Sequence, residues 1–101
     1  MVIRGAVLIH RTGQYLNRES AMALKQELLA ALAQGQNQVV IDMTDTISVD
    51  SSGIGTLLLF QEKVTQLGGS FRLINIRQAK LVKLFRAINL DRFIRIEYSD
   101  N

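Results

Sequence analysis

The chain is predicted to fold as an α/β domain, a mostly parallel central sheet of about four strands with helices packed on it. Three observations predict this. Short apolar runs rich in β-branched residues alternate along the chain with longer segments whose apolar positions recur at helical spacing. The segments between the apolar runs are long enough to be crossover helices, which join parallel strands, rather than hairpin turns. Of the 101 residues, 48% are hydrophobic and 21% charged, enough to bury a real core. There is no linker, repeat or proline, and residues 1–101 read as one domain.

The elements follow in order. Gly5 to Arg11 reads as a strand, bounded by Gly5 and Gly13. Asn17 is suited to cap a helix, because its side chain can accept from a free backbone N–H. Beyond it Met22, Leu24, Leu28, Leu29 and Leu32 recur at helical spacing, and Gly35 stands where the helix should stop. Val39 to Met43 is an apolar run of the kind buried in a parallel sheet. A polar loop precedes a second helix, from about Ser52 to Leu67, stopped by Gly68 and Gly69. Phe71 to Ile76 is the third strand, with Phe71, Leu73 and Asn75 on one face and Arg72, Ile74 and Ile76 on the other. Gln78 to Ile88 is the third helix, its apolar stripe formed by Leu81, Val82, Phe85 and Ile88. Phe93 to Ile96 is the last strand.

Composition excludes several functions. Without cysteine there is no disulfide framework and no thiolate metal site. A single histidine, His10, makes a histidine-based metal centre or catalytic triad a poor fit. No apolar run approaches the ~20 residues that span a bilayer, and the N-terminus, Met1 to Gly5, lacks the pattern of a signal peptide. A soluble, cytoplasmic protein is expected. The net charge of +3 is unevenly spread: residues 36–62 carry acids and no base, whereas Arg72 to Arg95 carries seven bases against Asp91. Such a flank can be solvated surface or can meet an acidic partner. Direct nucleic-acid binding is not expected, because no aromatic residues interleave with the bases at a stacking spacing.

The informative stretch runs from Ile47 to Leu57, joining the carboxyl end of a strand to the start of a helix, the edge where open α/β sheets usually bind ligands. It matches no catalytic or nucleotide motif. No lysine follows Gly55 as a phosphate-binding loop requires, Leu58 stands where a dinucleotide fingerprint needs glycine, and neither Ser51 nor Ser52 has glycine two residues before it as a nucleophile elbow does. No enzyme activity is expected. The hydroxyls and the small Gly53 and Gly55 instead suit a modifiable docking surface, while either serine could simply cap the helix. The following Ile54, Leu57, Leu58, Leu59 and Phe60 are apolar nearly all round, so part of that helix could also face a partner.

Val39 to Met43 followed by Val49-Asp50-Ser51-Ser52-Gly53-Ile54-Gly55 resembles the signature of STAS domains, closest to the bacterial anti-sigma factor antagonists. Gly13, Leu67-Gly68-Gly69, the strand from Phe71 to Ile76, and the segment from Leu81 to Ile94 are similar to the same family, over residues 5–97. The resemblance implies a non-enzymatic partner-switching module with no cofactor. It makes Ser51 the phosphoacceptor, supported by Asp50, and implies a partner-binding surface of Asp50, Ser52, Gly53, Ile54, Gly55 and Asn17. The implied partners are an anti-sigma factor or serine kinase of the GHKL type, released on phosphorylation, and a PP2C-type phosphatase that reverses it. The alternative is a STAS subunit that is never phosphorylated and docks on a transporter ATPase or larger assembly. Three departures stand out. Only Met1 to Arg4 precede the first strand, Asn17 takes the place of the acid usual near the first helix, and the chain stops at Asn101, where many relatives continue into a fourth helix. A missing helix would leave apolar surface or a strand edge for a partner.

Overall fold

The structure, a computed structural model, describes residues 7–99, so Gly5 and Ala6 of the expected first strand lie outside the described residues. In chain order the elements are β1 (Leu8–Arg11), β2 (Tyr15–Leu16), α1 (Arg18–Ala33), β3 (Gln38–Asp42), β4 (Ser48–Val49), α2 (Ser51–Gln66), β5 (Ser70–Ile76), α3 (Ala79–Ala87), a 3₁₀ turn (Leu90–Arg92) and β6 (Arg95–Tyr98). The main sheet has the order β1-β3-β5-β6, every pairing parallel, with Ile9 opposite Val40, Ile41 opposite Leu73 and Leu73 opposite Ile96. The α/β architecture with a four-stranded parallel sheet is therefore as the periodicities predict.

Each crossover steps one strand further in the same direction. Right-handed crossovers then put all three helices on one face of the sheet. The side chains agree. Val39, Ile41, Phe71 and Leu73 from the strands are buried with Leu24, Leu28, Leu57, Phe60, Val64, Leu81 and Phe85 from the helices. Between these, Ile9 is 63% exposed on the opposite face, which also carries the Arg72–Glu97 ion pair at 2.7 Å.

Both ends of α1 form as the sequence predicts. Asn17 Oδ1 accepts from the Ser20 N–H, and the Ser20 hydroxyl oxygen accepts from the Asn17 N–H, closing a reciprocal capping box. At the other end Gly35 takes φ +87°, the left-handed conformation that stops the helix.

Four details depart from the expectations. The chain forms a second, two-stranded parallel ladder, β2 with β4, that no periodicity announces. In β5 the facial alternation breaks, because Asn75 adopts φ 60° at an irregularity between Ile74 and Ile76. Ile76 therefore turns into the core instead of lying with Arg72 and Ile74. After α3, Asn89 at φ 55° turns the chain so that Leu90 and Ile94 enter the core. Phe93 is left 62% exposed outside any strand, and the last strand begins only at Arg95. Finally, α3 ends at Ala87, so Leu81 and Phe85 are buried while Ile88 is exposed.

Candidate functional site

The β2–β4 ladder sets the geometry of the site. Tyr15 lies opposite Ser48 and Leu16 opposite Val49, so the two parallel strands deliver two helix starts side by side. Asn17 caps α1 and Asp50 caps α2. The Asp50 N–H donates to the Leu16 carbonyl at 3.1 Å, tying the second junction to the first. Sequence distance hides this neighbourhood entirely.

Asp50 is the N-cap of α2, and neither serine is. Its Oδ1 accepts from the Gly53 N–H at 3.0 Å, and its carbonyl accepts from the Ile54 N–H at 3.0 Å. Ser51 is the first helical residue. It is exposed, and among the described residues its hydroxyl has no hydrogen-bond partner. Ser52 and Ile54 are half-buried, with Ile54 packed against the core. Gly55 is exposed, with open space where a Cβ would stand.

Gly53 corrects the sequence reading. It is buried, and a Cβ there would lie 2.7 Å from the Leu16 carbonyl oxygen and 2.8 Å from Val49 Cγ1. The space that glycine leaves is filled by the protein's own β2 and β4. Its smallness serves the close approach of α2 to that ladder and leaves no opening for another molecule.

The loops around the junction are held by buried polar contacts. The hydroxyls of Thr12 and Thr46 meet at 2.6 Å, and Thr46 also donates to the Gly13 carbonyl at 2.9 Å. Both threonines are buried, where an unpaired hydroxyl would cost ~1–3 kcal/mol. The Ile47 N–H donates to the Gln14 carbonyl at 2.7 Å, which joins the same two loops again. At the end of β3, Asp42 Oδ1 accepts from the Thr44 N–H and hydroxyl and from Asn75 Nδ2. Burial pushes the Asp42 pKa upward, but these hydrogen bonds and the Arg11 charge outweigh it and hold the carboxyl below its ordinary value.

Two residues flanking the junction carry no motif. Tyr15 is 55% exposed and Ile47 is 40% exposed, each next to a residue of the ladder or within it. The only signal for them is an apolar side chain in a strand or loop too short to have a period. Leu58 and Leu59, by contrast, are both partly buried against the core, so neither points fully outward.

His10 is occupied elsewhere. Its Nδ1 lies 2.9 Å from Glu27 Oε2 on α1. Among the described residues no group of three or more His, Cys, Asp or Glu could hold a metal ion, and no helix is long and apolar enough to cross a membrane.

Comparison with known proteins bears on this arrangement. A family model described as "Mlab, STAS domain" matches residues 7–96. A Thermotoga neapolitana protein named "Putative anti-sigma factor antagonist TM1081 homolog" is 28% identical over 91 residues, 89% of this chain and 80% of that protein. The NMR structure of TM1081 aligns with a TM-score of 0.82 at 26% identity, covering 97% of this chain and 78% of that one. The unphosphorylated form of the anti-sigma factor antagonist SpoIIAA aligns with a TM-score of 0.80 at 19% identity, covering 100% and 85%, a likeness of fold. The sequence pattern and the sheet order thus converge over nearly the full length described, and the chain belongs to the STAS domain family.

Proposed function

We propose that this chain is a phosphorylation-controlled protein-binding module of the anti-sigma factor antagonist type, acting in bacterial partner switching. The unphosphorylated form binds an anti-sigma factor or GHKL-type serine kinase over the paired helix starts, and phosphorylation of Ser51 releases it. The observation that carries this reading is the exposed Ser51 hydroxyl, without a hydrogen-bond partner among the described residues, on the first residue of α2 beside the α1 start. SpoIIAA, whose fold is similar, has been solved in both unphosphorylated and phosphorylated forms.

Electrostatics explains how a small modification acts as a switch. A phosphate at Ser51 gains ~0.3–1 kcal/mol from the helix N-terminus, so α2 tolerates it. The adjacent Asp50 carboxylate repels it in the free chain and in the complex alike, so what weakens binding is the charge that docking brings near. A carboxylate on the partner at about 6 Å and an effective dielectric of about 40 repels the phosphate by about 3 kcal/mol, which weakens binding more than a hundredfold. The domain persists and the complex does not. The chain itself carries out no chemistry; ATP belongs to the kinase, and a PP2C-type phosphatase resets the serine.

The test compares immobilised wild type, Ser51→Ala and Ser51→Asp, with mass spectrometry of the captured proteins and of Ser51 after incubation with kinase and ATP. Ala is expected to retain the kinase and Asp to release it. No phosphate on Ser51, with the same ATPase captured by all three forms, would instead support the constitutive transporter-associated subunit.

A further inference from the structure

A second surface, independent of Ser51, has the character of a binding groove. A cavity of about 560 Å³ opens along α3 near the carboxyl ends of β5 and β6. Its accessible apolar lining comes from Ala79, Val82 and Ala87, above the buried Ile76, and its charge from Arg77, Lys83 and Arg86. The ion pairs among the described residues are made by His10, Arg11, Arg72 and Arg95, and none by these three cations. We propose that this groove binds an acidic, amphipathic segment of a partner protein. Carboxylates of that segment meet the cations, and an aliphatic side chain seats against Ala79 and Val82, which are exposed and half-buried respectively.

Size, spacing and chemistry select this occupant. The volume suits a few side chains or a small ligand, since ligand sites run ~300–1,000 Å³. Of the lining cations, Lys83 and Arg86 stand three residues apart on α3, a rise of about 4.5 Å, and Arg77 lies just before the helix. Acidic side chains three or four residues apart on a helix stand ~5–6 Å from one another, a comparable step. Nucleic acid fits less well. The lining is aliphatic, and Tyr98 has its ring covered by the Arg86 guanidinium at 4.9 Å, which leaves that face closed to a stacking base. The same contact holds Arg86 in place before any partner arrives, which lowers the ordering cost of binding.

The test titrates the ¹⁵N-labelled full chain with a synthetic helical peptide bearing glutamates on one face and leucines on the other. Two further probes are the same peptide with serines for leucines and a single-stranded oligothymidylate. Saturable shifts confined to amides of 77–87 and Ser99 are expected for the first peptide. Lys83→Glu and Arg77→Glu, both at exposed positions and each checked for a folded spectrum, are expected to weaken it at least tenfold. The proposal is overturned by equal binding of the serine peptide, tighter binding of the oligonucleotide, shifts elsewhere or none, or wild-type affinity in both variants. None of these results bears on Ser51, so the two proposals stand or fall separately.

Discussion

Two glycines of α2 separated by Ile54, Gly53 and Gly55, have opposite physical roles, and substitution distinguishes them. Gly53→Ala drives a methyl into the Leu16 carbonyl and Val49, contacts that backbone cannot vacate, and should destabilise the domain by ~1–3 kcal/mol. Gly55→Ala meets nothing within 4 Å and should stabilise by up to ~1 kcal/mol through helix propensity. Urea unfolding midpoints moving in opposite directions are the expected result. Asp50 combines two roles that a pair of variants separates. Asp50→Ala removes the bond to the Gly53 N–H and should cost ~1 kcal/mol, whereas Asp50→Asn keeps a competent cap and should cost only a few tenths. If a docked partner excludes water and so strengthens repulsion between Asp50 and a charge at position 51, Asp50→Asn should soften the loss of partner expected of Ser51→Asp. Unchanged release in the double variant would confine Asp50 to capping.

Strand β5 owes its shape to one irregularity. Asn75 at φ 60° is a conformation asparagine tolerates and alanine resists, and its amide also reaches Asp42 at 3.2 Å. Asn75→Ala loses both advantages and Asn75→Gly only the hydrogen bond, so Gly should be the milder change by ~1 kcal/mol in chemical denaturation. The same bond feeds a pH dependence. The Asp42 carboxyl titrates below its ordinary value in the folded protein, so the unfolded chain binds its proton first as pH falls. The stability it contributes is therefore present above about pH 4 and declines as pH drops through the folded value. Stability curves against pH should lose this acid limb in Asp42→Asn, and an unaltered limb would count against the network.

The single-sided sheet predicts how the domain opens. β3 and β5 are flanked on both sides and covered by helices, whereas β1 and β6 are edges and the β2–β4 ladder is two residues long. Amide exchange should be slowest at Val39 to Ile41 and Phe71 to Leu73, and faster at Tyr15, Leu16, Ser48 and Val49. Equal protection across these segments would mean that the ladder is as stable as the sheet. The exposed face around Ile9 and the Arg72–Glu97 pair stays outside both proposed surfaces.

Four main strands, three helices, their order and the cap at Asn17 were legible from residue spacing, because burial on one side of a strand or helix imposes a period that any single chain displays. The start of α2 near Ser51 and Ser52 was legible for the same reason, whereas the two-residue β4 that leads into it was not. The pairing of β2 with β4, the meeting of the Asn17 and Asp50 caps, the inward role of Gly53 and the outward turn of Phe93 were not. Each depends on which distant segments come to lie together once the loops close, or on a single residue at positive φ. Two-residue strands and lone backbone twists have no period to read, so packing of the folded chain settles them.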